Sequence, residues 1–136
     1  MTYLGITPEN VKTTTDTWLT PLWLINALGD FDLDPCGIDG HDTAKNKIIW
    51  PQDGLKSDWF GKVWLNPPYS DLNPWMDKLS NHGCGTALVF ARTDTKWMQK
   101  HFRLADSVFF LEGRIRFLDA NFKEKTNVRN EGLERC

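Results

Sequence analysis

Hydrophobic and polar positions along this 136-residue chain fall into short runs, each closed by proline or glycine. Residues 31–34 alternate apolar and acidic (Phe31, Asp32, Leu33, Asp34) and stop at Pro35, which predicts a short strand running into a turn with Gly37 and Gly40. Residues 47–50 and 62–65 predict two further strands, ended by Pro51 and by Asn66-Pro67-Pro68. Residues 86–91 form an apolar run of the kind that is buried on both faces of a sheet. Residues 107–111 and 114–118 predict two more strands around Glu112-Gly113. Helical spacing appears between these runs. Leu22, Trp23, Ile25 and Leu28 predict a helix with Thr20 as N-cap, Pro21 at its first position and Gly29 at its exit. Residues 42–47 predict a brief helix. Residues 72–81 predict another, with Trp75 and Leu79 on one face, and 96–104 a last one. Strands alternating with helices imply an α/β three-layer fold with a mostly parallel sheet. In such sheets ligands bind beyond the carboxyl ends of the strands. Asp34-Pro35-Cys36-Gly37 and Asn66-Pro67-Pro68-Tyr69 are both expected on that rim.

Composition narrows the classes. With 40% hydrophobic and 25% charged residues the chain reads as one globular domain, and its size suffices for a core without staples. Residues 1–16 are polar and predict a mobile arm, residues 17–118 the folded domain, and 119–136 a polar tail. A net charge of -2 excludes a polybasic protein that coats nucleic acid by charge alone. The charge is uneven: residues 1–94 hold 7 Lys+Arg against 12 Asp+Glu, and residues 95–136 hold 9 against 6. Arg92, Lys96, Lys100, Arg103, Arg114 and Arg116 are therefore candidates for phosphate contacts, the alternative being ordinary surface charge. Cys36, Cys84 and Cys136 are an odd, widely spaced set, which suits reduced thiols better than a disulfide framework or a metal site. No run approaches the length of a membrane span and no secretory signal opens the chain, so the expected location is the cytoplasm.

The chemistry concentrates at Asn66-Pro67-Pro68-Tyr69. The two prolines fix their own φ and hold the preceding residue out of the helical region, so Asn66 ends a strand as a stiff, extended peg. An aromatic exocyclic amine is a poor nucleophile because its lone pair is delocalised. The Asn66 side-chain oxygen and the Pro67 carbonyl can each accept one of its N–H groups and free that lone pair, while Tyr69 offers a stacking face for a base lifted from a duplex. A plain strand-ending turn is the competing reading. Asp34 with Pro35, Cys36 and Gly37 would let the backbone approach a bound nucleoside, and Asp58-Trp59 offers an acceptor and an apolar face for a purine; a core role for Trp59 is equally open. Cytosine-ring methylation and zinc-dependent deamination are excluded by their missing motifs.

Trp18-Leu19-Thr20-Pro21 preceded by Thr17, then Phe31 to Gly37, then Asp53-Gly54-Leu55 with Asp58-Trp59, then Asn66-Pro67-Pro68-Tyr69-Ser70, occur in the order in which they resemble the phage-type DNA N-6-adenine methyltransferases. The resemblance implies a Rossmann-like methyltransferase fold and S-adenosylmethionine as cofactor. It places Asp34, Pro35, Cys36 and Gly37 at the cofactor's amino-acid and ribose side, Thr20 and Pro21 near its carboxylate, Asp53 at its ribose, and Asp58 with Trp59 at its adenine. It places the target adenine of double-stranded DNA at Asn66, Pro67, Pro68 and Tyr69. The family pattern continues into a further apolar strand, whereas residues 121–136 offer only Phe122, Val128, Leu133 and Cys136. The C-terminal sheet edge is therefore expected to be incomplete, and the open edge is a candidate surface for a homodimer. The alternatives are a methyltransferase acting on RNA or a protein amide, and a non-catalytic nucleic-acid-binding remnant.

Overall fold

In the computed structural model, which describes residues 18–123, the sheet is built around Val63-Trp64-Leu65, three consecutive residues almost wholly removed from solvent. A strand buried on both faces must be central, and it is. Four parallel strands, β1 (Leu33–Gly37), β2 (Asn46–Ile49), β3 (Val63–Leu65) and β4 (Gly85–Ala87), lie in the order β2-β1-β3-β4. The chain steps outward from β1 to β2 and then returns to the other side of β1 for β3. The switch point of this α/β, Rossmann-like sheet therefore lies between the carboxyl ends of β1 and β3. Leu33 pairs with Val63, and Asn66 follows directly on the last residue of β3.

Three α-helices accompany the sheet among the described residues: α1 (Leu22–Leu28), α2 (Leu72–His82) and α3 (Lys96–Leu104). Helix α2 buries Leu72, Trp75 and Met76, and half-buried Leu79 packs beside them. It ends at Gly83, whose left-handed φ of 80° lets its N–H reach the Leu79 carbonyl at 2.9 Å. Helix α3 turns Met98 and His101 inward. No helix among the described residues is long and apolar enough to cross a membrane.

Four expectations are corrected. Pro21, not Thr20, caps α1; Thr20 is buried with its hydroxyl turned to Asn66, and the helix buries Leu24 and Ile25 while Trp23 stays exposed. Strand β1 does not stop at Pro35 but runs to Gly37, because its pairing with β2 slips between Asp34 and Gly37. One extra residue on β1 means that no ladder partner waits for an N–H from Pro35, and the Cys36 N–H donates to Asp34 Oδ1 at 2.9 Å. Residues 42–47 form no helix: Lys45 and Asn46 donate backbone N–H groups to Phe31 and Asp32, and this strand pairing overrides local propensity. Residues 107–111 and 114–118 form no strands beyond one antiparallel bridge, Leu118 with Leu19. Ile115 and Phe117 alternate inward, but they pack an extended segment on the core rather than joining a ladder. The open side of β4 faces instead a cavity of about 410 Å³ that Leu104, Phe109 and Leu111 also line. The predicted arm, residues 1–16, lies outside the described residues, as does the predicted tail beyond Lys123.

Candidate active site at the carboxyl ends of β1 and β3

Asn66 follows directly on β3, and its amide orientation is determined by two acceptors. Its Nδ2 donates to the Trp18 carbonyl at 3.3 Å and lies 3.4 Å from the Thr20 hydroxyl oxygen. A carbonyl can only accept, so the NH₂ end of the amide faces residues 18–20. The opposite atom, Oδ1, is buried and has no hydrogen-bond partner among the described residues. Leaving such an acceptor unsatisfied costs about 1–3 kcal/mol, so an orphan of this kind asks for a reason. Pro67 is buried and Pro68 extended (φ -59°, ψ 138°), after which Tyr69 opens a short 3-10 turn over Tyr69–Asp71.

Across the switch point, Asp34 is buried within β1. Its Oδ1 accepts the Cys36 N–H, and its Oδ2 accepts a hydrogen bond from the Thr43 hydroxyl. Burial pushes the carboxyl pKa up to about 6, against the pull of Thr43, the Cys36 N–H and Lys47. Burial and the neighbouring Asp34 charge likewise push the Cys36 thiol up, so Cys36 is a packed thiol and not a nucleophile at neutral pH. Gly37 lies against Lys47: a Cβ there would come within 2.6 Å of the lysine's own Cβ.

The loop from β2 to β3 closes over the end of β1. Gly54 sits so near the Pro35 carbonyl that a Cβ would fall 2.1 Å from its oxygen. Asp53 folds its carboxylate onto the Leu55 N–H at 2.9 Å and lies 3.7 Å from Lys56 Nζ. Trp59 donates its indole N–H to the Gly54 carbonyl at 2.8 Å and stacks on Trp75 of α2, with Lys78 over its ring at 5.2 Å. Asp58 is exposed beside it. The fold thus gathers Thr20, Asp34, Pro35, Cys36, Gly37, Asn66 and Pro67 around one rim. Asp53 and Trp59 are engaged within their own loop and with α2. The cavity beside β4 contains none of the expected site residues.

Three participants carry no mark in the sequence pattern. Trp18 precedes Leu19-Thr20-Pro21 in one of the family-like segments, but nothing in residue spacing announces that its carbonyl meets Asn66. His41 and Thr43 lie in a polar stretch that reads as a turn and a helix. Both are buried: His41 Nε2 lies 2.8 Å from the Thr20 carbonyl, and Thr43 bonds Asp34. Of the basic candidates, Lys100 pairs with Asp77 at 2.6 Å, the Arg92 guanidinium lies 6.0 Å from the Phe90 ring, and all six are exposed.

For S-adenosylmethionine the rim has suitable chemistry. Asp34, buried with both oxygens bonded, shapes the end of β1, and Asp53 and Asp58 are exposed carboxylates for hydroxyl or amine donors. The residues present fit the group.

Neither curated proteins nor solved structures give a match to this chain. The family model described as DNA N-6-adenine-methyltransferase (Dam) matches residues 7–133. That span includes every element of the sheet, both strand ends of the rim and the orphaned asparagine oxygen, and the chain belongs to the DNA N-6-adenine-methyltransferase (Dam) family.

Proposed function

We propose that this chain moves a methyl group from S-adenosylmethionine to the exocyclic amine of adenine at particular sites in double-stranded DNA, and that Asn66 with Pro67, Pro68 and Tyr69 holds the adenine. The observation that carries this reading is the Asn66 amide, whose NH₂ is held by Trp18 and Thr20 while its buried oxygen has no partner among the described residues. The target amine supplies the missing donor. One N–H goes to Asn66 Oδ1 and the other to the Pro67 carbonyl, which localises the nitrogen lone pair for attack. Both acceptors are neutral amide oxygens, so they stabilise the positive charge that develops on nitrogen without removing a proton beforehand, and once the N–C bond has formed one of the two N–H protons passes to solvent to give the neutral methylamine. Tyr69 is assigned the stacking face for the base, a contact worth about 1–3 kcal/mol.

When bound, S-adenosylmethionine supplies the electrophile, a methyl group on positively charged sulfur. Thr20, Pro21, Asp34, Pro35, Cys36 and Gly37 are assigned to its amino-acid and ribose side, Asp53 to its ribose, and Asp58 with Trp59 to its adenine. Asp34 acts mainly by shaping the turn at the end of β1, since its two oxygens already hold Cys36 and Thr43. Arg92, Lys96, Lys100, Arg103, Arg114 and Arg116 are assigned to DNA phosphates. Incubating the protein with methyl-labelled cofactor and, separately, unmethylated double-stranded DNA, RNA and protein extract tests the acceptor. Label should enter DNA alone; label in RNA or protein but not in DNA contradicts the reading, as does calorimetry showing no heat of cofactor binding.

A further inference from the structure

We propose that His41 is a positioning residue for methyl transfer, holding through the Thr20 carbonyl the short segment that orients the Asn66 amide. The inference rests on the role of Asn66 proposed above. Residues 18–20 supply both acceptors for the Asn66 NH₂ group, at 3.3 and 3.4 Å. Hydrogen bonds of that length lie near the limit of useful geometry, so a shift of a few tenths of an ångström in the segment abolishes them.

The segment belongs to no helix and has one strand-like partner. On one side, Leu19 and Leu118 exchange two backbone hydrogen bonds of 3.0 and 2.9 Å. On the other, His41 Nε2 donates to the Thr20 carbonyl at 2.8 Å. A carbonyl only accepts, so the proton sits on Nε2. Burial pushes the pKa of His41 down, which keeps the ring neutral at neutral pH. The residue itself is firmly held: its backbone N–H reaches the Ile38 carbonyl at 3.1 Å, and its own carbonyl accepts from the Thr43 N–H at 3.0 Å and from Lys47 Nζ at 3.1 Å. Phe122 lies beside the imidazole at 6.1 Å between ring centres. Two residues on, Thr43 holds Asp34. One loop after β1 therefore ties the proposed cofactor side of the rim, through Thr43, and the proposed acceptor side, through His41, to the same backbone.

Steady-state kinetics of the full chain carrying His41→Leu, His41→Gln, His41→Asn, Thr20→Val or Asn66→Ala tests this. Leucine keeps bulk without a donor, glutamine can place an N–H where Nε2 was, and asparagine is too short to reach. Displacement of a positioned group typically lowers turnover by about 10- to 100-fold. His41→Leu should therefore lower kcat by that order while KM for DNA stays within a few-fold. Glutamine should restore most of the loss and asparagine should not, a comparison that decides the matter even where the leucine variant does not fold. Combining His41→Leu with Thr20→Val should lose less than the product of the separate losses, because both act on one segment. An unchanged kcat in folded His41→Leu, or glutamine no better than asparagine, overturns the proposal. Undiminished transfer by Asn66→Ala overturns the role of Asn66 instead, so the two failures are distinguishable.

Discussion

Asp34 within β1 and Asn66 just past the end of β3 have opposite needs. Asp34 is a charged group carried into the interior and made tolerable by hydrogen bonds, whereas Asn66 is a neutral group left one bond short. Thr43 is the largest of the three stabilising partners of Asp34, ahead of the Cys36 N–H and Lys47. Thr43→Val keeps the shape and removes the hydroxyl. A hydrogen bond to a charged group is worth about 1.5–3 kcal/mol, so urea unfolding of this variant at pH 7 should show a loss of that order. Unchanged stability would mean that the carboxylate finds another donor. The basic side chains behave differently, being exposed and in the case of Lys100 already paired. Arg103→Ala and Lys96→Ala should leave the unfolding free energy within about 0.5 kcal/mol, as exposed substitutions do, while weakening DNA binding at low salt. A gel-shift titration showing equal affinity for both variants and the parent would remove those two residues from the phosphate surface.

At the level of elements, the rim depends on a loop pressed onto the end of a strand. A methyl group on Gly54 would strike the Pro35 carbonyl at 2.1 Å and Trp75 at 2.9 Å. Gly83 has open space around it and is constrained only by its left-handed backbone. Gly54→Ala should destabilise by more than about 2 kcal/mol, and Gly83→Ala by about 1 kcal/mol, as judged by denaturant unfolding. Equal losses would show that the loop stands off β1. The contrast also shows what a sequence can reveal. Strand β3, helices α2 and α3 and the rim formed by Asp34 and Asn66 were legible, because apolar runs with proline and glycine ends report burial and termination directly. The continuation of β1 through Pro35 was not, since a bulge is a property of pairing with β2. Residues 42–47 had helical composition but are consumed as the crossover to β2, where His41 and Thr43 become interior partners. Ile115 and Phe117 show a strand's alternation without a strand, because inward packing of any extended segment leaves the same pattern. At the candidate site, the place of Asn66 at the end of β3 was readable, and the acceptors that orient it, Trp18 and Thr20, were not, because neither a backbone carbonyl nor a long-range partner is written in local spacing.

For the whole molecule, proton uptake connects the site to stability. The Asp34 carboxyl titrates near 6 in the fold against 3.8 when free. The folded chain therefore binds a proton that the unfolded chain does not between those values, and Asp34 makes the fold relatively more stable as pH falls through that window. Burial depresses His41 and His101 below their usual 6.5, so both act in the opposite sense: their contribution is complete above 6.5 and is lost as pH falls toward their folded values. Comparison with Asp34→Asn isolates the first effect. The parent should gain up to about 3 kcal/mol over that variant between pH 6.5 and 4, at about 1.4 kcal/mol for each pH unit that separates the folded titration from the free one. A difference independent of pH would contradict the buried carboxylate. The uneven charge of the chain, acidic toward the site and basic beyond residue 94, fits a protein that approaches DNA through one region rather than all over. The central claim is that the free oxygen of Asn66 grips the amine that is methylated. The most direct measurement is the nucleoside content, by mass spectrometry, of plasmid DNA treated with cofactor and either the parent protein or Asn66→Ala. The account predicts N6-methyldeoxyadenosine with the parent and about a 100- to 1,000-fold lower rate of its formation with the variant, at cofactor affinity unchanged within a few-fold; equal rates from the two proteins would contradict it.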